Sequence, residues 1–217
     1  AEPRKGGTEP GLSAGFPFLP AFRGRPRKRA EIPLRRAAYN APMSPLIEWQ
    51  EDGARHSARW RSEAGLAPPV AVAVADGHIS ADAAWRAMEA GTALLWRGDW
   101  VNARHLMQAL TRRADRRFAN RSCKPPANAA EAFARHREGQ GRRAALLARL
   151  LVPVAGDYTV PLRRAQNVRQ ACSEAWGAAD GTASVVALRE LLAVISAHEW
   201  RKKGVPVPAV QGRIHPH

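Results

Sequence analysis

Hydrophobic and polar positions change rhythm along the chain. Leu46-Ile-Glu-Trp49 and Ala58-Arg-Trp60 alternate on either side of Asp52-Gly53, which predicts a hairpin. Val70-Ala-Val-Ala-Val74 is a short apolar run closed by Asp76-Gly77 and reads as a third strand. From Ser80 onward the spacing turns helical. Ser80 offers an N-cap to a helix over 81–97 with Ala84, Ala87, Met88, Leu94 and Leu95 on one side. Gly98 ends that helix and Asp99 caps the next, over 99–116, with Trp100, Ala103, Leu106, Met107 and Leu110 at helical spacing. Asn128 and Glu131 form a capping-box-like start to a long helix. It runs through Phe133 to Leu146, Leu147, Leu150 and Leu151, broken or bent at Gly139 and Gly141 and stopped by Pro153. A shorter helix is expected over Val168 to Trp176. Thr182 then caps a strong one, in which Val185, Val186, Leu188, Leu191, Leu192, Val194, Ile195 and Trp200 form a broad apolar face. The expected fold class is mainly α with a small N-terminal β element (α+β), a helical accessory domain over residues 43–204. No repeat is evident at periods of 20–50 residues.

The flanks lack this periodicity. Residues 1–42 are Gly, Pro and Arg punctuation, unable to bury enough surface to offset chain entropy. Patterned sequence starts directly after Met43, so residues 1–42 read as a disordered basic tail or upstream read-through. A basic nucleic-acid-binding arm is the alternative. At the other flank, prolines extend the run from Gly204, and residues 205–217 read as a connector to a further element.

Charge sharpens the picture. The 217 residues carry 34 Lys+Arg against 19 Asp+Glu, a net charge of +15, and 29 of the cations are Arg. Residues 43–96 have an excess of three anions, whereas residues 97–149 hold 13 cations and 4 anions. A basic block of this size attracts polyanions, of which nucleic acid is the usual one. The candidate contacts are Arg112, Arg113, Arg116, Arg117, Arg121 and Lys124, with Arg142 and Arg143. Cations at a helix C-terminus also complement its dipole, so part of the cluster has a purely structural reason. The most apolar stretch, Ala144 to Val154, is interrupted by Arg149 and Pro153 and falls far short of the ~20 residues of a spanning helix. Two cysteines, Cys123 and Cys172, make no disulfide framework and suit a reducing, cytoplasmic compartment.

Cofactor and catalytic signatures are missing. The glycines are isolated, so no dinucleotide fingerprint or P-loop exists, and Asp180-Gly181-Thr182 reads as a helix cap. The histidines are scattered, with no HExxH, and His215-Pro-His217 is at most a loose metal-binding pair. Trp85, Trp96 and Trp100 could stack on bases, but they sit at apolar helical positions where packing anchors are expected. The tight Gly98-Asp99 turn between two helices permits a helix-turn-helix reader. Its basic residues, however, lie at the wrong end of the second helix for reading base edges.

Four stretches carry a family resemblance: Trp96-Arg-Gly-Asp-Trp-Val-Asn-Ala-Arg104, Asp157-Tyr-Thr-Val-Pro-Leu-Arg-Arg164 with Val168-Arg-Gln-Ala-Cys172, His198-Glu-Trp-Arg-Lys-Lys-Gly-Val205, and Gly212-Arg-Ile-His-Pro-His217. Together, over residues 44–217, they resemble the N-terminal part of bacterial class I S-adenosylmethionine-dependent methyltransferases of the "methyltransferase small" type. The resemblance implies that the segment like Arg213–His217 leads into a Rossmann-like cofactor domain with a Gly-rich loop, and that relatives carry an Asn-Pro-Pro-type loop. Neither loop is in this sequence: Pro68-Pro69 and Pro125-Pro126 lack the preceding Asn or Asp. The expectation is therefore an accessory, substrate-positioning part of a methyltransferase, with RNA as substrate and S-adenosylmethionine bound by a separate domain. No catalytic, cofactor-binding or metal-ligating residue is expected within these residues. A stand-alone, non-enzymatic nucleic-acid-binding protein is the alternative.

Overall fold

The computed structural model describes residues 45–118 and 125–215, all within the unit Ala41–His217. Expectations that fall on residues 1–42, Met43, Arg121, Cys123, Lys124 and His217 lie outside the described residues.

The hairpin forms where alternation places it, as β1 (Leu46–Glu51) and β2 (Ala54–Arg61), with Asp52 and Gly53 both at positive φ in the turn. Alternation also decides which side chains face inward. Ile47, Trp49 and Trp60 are buried, while Glu48 and Arg59 point away from them.

Beyond the hairpin the expectation of a mainly helical fold is overturned. β3 (Val72–Ala75), β4 (Ala93–Trp96), β5 (Leu150–Val154) and β6 (Ser184–Ala187) join the hairpin in a six-stranded mixed sheet of order β1-β2-β6-β5-β4-β3. Three of these strands were expected to be helical. Helical spacing puts Ala93–Trp96 at the end of the 81–97 helix, Leu150 and Leu151 at the end of the long helix, and Val185–Val186 at the start of the last. The edge strands β1 and β3 lie side by side, so the sheet is nearly closed. Its interior is filled by Ile47, Trp49, Trp60, Ala93, Leu95, Leu151, Val185 and Ala187. Trp49 stacks on His56 at 5.6 Å, and Arg97 ties the end of β4 to β1 through Glu51 at 2.6 and 2.8 Å. That guanidinium holds the Glu51 carboxyl below its ordinary range.

Helices cover the outer face of β4, β5 and β6. They are α1 (Ala81–Glu89), α2 (Trp100–Phe118), α3 (Ala129–Leu147), α4 (Arg169–Trp176) and α5 (Leu188–Lys203). Ser80 caps α1 and Asn128 caps α3 as read from the sequence, each side chain accepting from an N–H three residues on. Gly139 and Gly141 lie inside α3 without breaking it. Thr182 caps no helix; its N–H donates to Asp180 in a turn that enters β6. Leu94, Trp96, Leu150, Val152, Val154 and Val186 face outward into a second core with Met88, Trp100, Leu106, Leu110 and Leu147. Trp96 and Trp100 are thus packing anchors, and Trp85 packs half-buried beside them. The 205–214 run is extended but doubles back as a hairpin, β7 (Val205–Val207) with β8 (Gly212–Ile214). Arg213 pins it by donating to the carbonyls of Lys203 and Gly204.

Candidate nucleic-acid interface

The expected basic cluster is real in sequence but divided in space. α2 buries Ala103, Leu106, Met107, Leu110 and Ala114, which fixes where its other side chains point. Arg113 and Arg117 lean towards α1, where they meet Asp82 at 2.6 Å and Glu89 at 3.7 Å. On the opposite flank Asp115 receives Arg143 of α3 at 2.6 Å, and Arg142 pairs within α3 with Glu138 at 2.5 Å. Four of the expected contacts are therefore held by carboxylates, and three of those pairs fasten α1, α2 and α3 together.

Arg112 and Arg116 are different. Both are exposed and, among the described residues, neither has an ion-pair or hydrogen-bond partner. Four and eight residues before Arg112 lie Gln108 and Arg104, also exposed and, among the described residues, without a partner. A four-residue step rises roughly 6 Å, so Arg104, Gln108, Arg112 and Arg116 form a row of about 18 Å along the solvent side of α2. Arg104 escaped the sequence reading because it precedes the dense part of the cluster. The i,i+4 spacing was the signal that could have found it.

The helix-turn-helix reading fails, because α1 stops at Glu89 and β4 separates it from α2. The stretches that carry the family resemblance serve as staples. Asp99 accepts from Val101 N–H at the start of α2 and from Arg164 at 2.5 Å. Trp100 N–H donates to Arg163 O, and Asp157 binds both Thr159 and Arg169. His198 Nδ1 lies 2.6 Å from Glu174, which also binds Arg201. The 320 Å³ hollow beside this pair is lined by Ala171, Glu174, Ala175, Val194, Ala197, His198, Trp200 and Arg201, none of them a nucleophile for the histidine to activate.

S-adenosylmethionine, which the resemblance implies, needs an open Gly-rich strand-to-helix loop. At the β4–α2 junction a Cβ on Gly98 would lie 2.9 Å from Gly77 N, so the two backbones press on each other and leave no cradle. That junction does not fit the cofactor. The described residues hold no group of three His, Cys, Asp or Glu side chains able to bind a metal ion. No helix among them is long and apolar enough to cross a membrane. No protein-family model matches the chain, and no curated protein sequence matches it significantly.

Proposed function

We propose that this chain is the substrate-holding part of a cytoplasmic S-adenosylmethionine-dependent methyltransferase acting on RNA. The carrying observation is the row Arg104, Gln108, Arg112 and Arg116, left without carboxylate partners while the neighbouring arginines are paired. Phosphate contacts of this kind position a strand without reading its sequence. The methyltransferase assignment rests on the resemblance, and the cofactor belongs to a domain outside the described residues.

The test is RNA affinity as a function of salt for the chain and for its R104Q/R112Q/R116Q variant. Three phosphate contacts to a single strand contribute a slope of about −2 in log K against log salt. The variant is expected to lose that amount; an unchanged slope overturns the proposal.

A second reading is a non-enzymatic nucleic-acid-binding protein that uses the same row. The readings part on whether a polypeptide containing this sequence transfers a methyl group to the RNA it binds.

A further inference from the structure

A cleft of about 710 Å³ lies on the outer face of β2, remote in sequence from the α2 row and independent of the reading built on it. Its floor is β2, where Arg59 and Arg61 point outward on either side of the inward Trp60. One wall is the loop after β2. Ser62 shapes it by accepting the Leu66 N–H, and Trp60 Nε1 donates to Leu66 O at 2.6 Å. The other wall is Tyr158 with Trp176 at the end of α4, their rings edge to face at 5.7 Å. Tyr158 is held at φ 65° by the Asp157 turn, a left-handed conformation that costs a bulky residue energy.

Among the described residues the Arg61 side chain, standing between these walls, has no ion-pair or hydrogen-bond partner. Its guanidinium carbon is 4.6 Å from the Trp176 ring centroid and 5.9 Å from that of Tyr158. Arg61 Nε and Trp176 Nε1 are both buried donors with no acceptor. The acids that line the cleft or bond to its loop are otherwise committed or turned to solvent. Asp180 takes Arg59 at 2.6 Å, Glu190 accepts from Ser62 Oγ and Glu63 N–H, and the exposed Glu63 carboxylate is not paired with Arg61. The adjacent Cys172 is no counter-ion, because burial pushes its thiol up to about 11. A half-buried guanidinium held over an indole, with an unused Nε donor, can take a planar or tetrahedral oxyanion through two N–H bonds.

We infer that this cleft is a binding site for a small organic oxyanion, a carboxylate or phosphate monoester on an apolar or aromatic body. Arg61 is its anion-binding residue and Trp176 the platform that orients it. The apolar body would lie along Leu66, Pro68 and Ala178.

The experiment is titration calorimetry on the whole chain with three probes: adenosine 5′-monophosphate, benzoate and uncharged adenosine. The monophosphate, benzoate or both are expected to bind, with a melting temperature that rises with concentration, and adenosine is expected to bind at least tenfold more weakly than the monophosphate. Whichever anion binds identifies the source of the oxyanion. Arg61→Gln should weaken that anion at least tenfold, and Arg61→Lys, which keeps the charge but not the fork, by less. The R104Q/R112Q/R116Q variant should bind the small anion as the unmodified chain does, so failure here and failure of the RNA reading are separable. Absence of binding by both anions at concentrations of about 1 mM, where affinity is already only about −4 kcal/mol, overturns the inference. Equal affinity of the chain and a folded Arg61→Gln variant overturns it too.

Discussion

Asp99 and Arg164, 65 residues apart, meet at 2.5 Å, and the same carboxylate accepts from the Val101 N–H at the first turn of α2. One side chain thus starts a helix and ties the loop after β5 to it. The Arg164 guanidinium holds the Asp99 carboxyl below the ordinary aspartate range. A depressed folded-state pKa means a stability contribution present above the unfolded value and lost as pH falls through the folded one. Thermal melts should therefore show Asp99→Ala less stable than the parent at neutral pH, with the gap closing under acid conditions. Asp99→Asn keeps an acceptor for Val101 and should fall between the two. A gap that persists unchanged at acid pH would show that the charge is irrelevant.

Two glycines should respond oppositely to alanine. A Cβ on Gly156 would sit 2.2 Å from the Gly181 carbonyl, a backbone contact that no rotamer relieves. Gly156→Ala is expected to cost about 1–3 kcal/mol or more, as overpacking does. Gly141 lies in the interior of α3 with nothing within 4 Å of an added Cβ. Gly141→Ala should stabilise by about 0.4–1 kcal/mol through lower unfolded-state entropy and better helix propensity. Urea denaturation of both variants checks the signs.

Gly141 also shows where sequence reading strayed. Glycine lowers helix propensity by only about 1 kcal/mol, and packing of Leu146 and Leu147 into the core outweighs it. The larger error, the missing strands, has one physical origin. Ala93–Trp96, Leu150–Val154 and Ser184–Ala187 are covered on both faces, by the barrel interior and by helices, so their apolar residues do not alternate. A continuous apolar run next to a true helix has no period to separate it from that helix. β1 and β2 were legible because their outer face is polar. The exposed Arg112 and Arg116 were legible as charge. That Arg113 and Arg143 are paired was not, because Asp82 and Asp115 lie 31 and 28 residues away from them.

This division makes a prediction about the arginines. Arg113→Gln and Arg143→Gln should weaken helix packing by about 0.2–1 kcal/mol each, the usual worth of pairs open to solvent, with little change in RNA affinity. Arg112→Gln and Arg116→Gln should do the reverse. Melting temperatures and RNA titrations on the same four single variants test it, and equal effects of all four on RNA affinity would contradict it.

The barrel interior carries the strand assignment. Leu95 and Leu151 pair across β4 and β5 and are fully buried there. Leu151→Ala should cost about 2–5 kcal/mol, because neighbouring strands cannot collapse into the space left. Leu46→Ala, on the exposed outer side of β1, is the control and should cost far less. Denaturant midpoints of the two variants are the measurement, and similar losses would mean that the sheet is not closed around Leu151.

Cys172 reports on the same core from the α4 side. It is fully buried, and burial raises its thiol from an ordinary 9.0 to about 11. The folded state therefore holds the proton more tightly than the unfolded one. Its contribution to stability is complete below about pH 9 and disappears as pH climbs through about 11. In a Cys123→Ser background, a thiol-disulfide reagent at neutral pH should modify Cys172 only at the rate of unfolding and stoichiometrically in urea. Cys172→Ser removes the titrating thiol, so its stability should no longer fall between about pH 9 and 11 in the way the parent's does. Fast modification of the native protein at neutral pH would place the thiol at the surface and α4 away from the sheet.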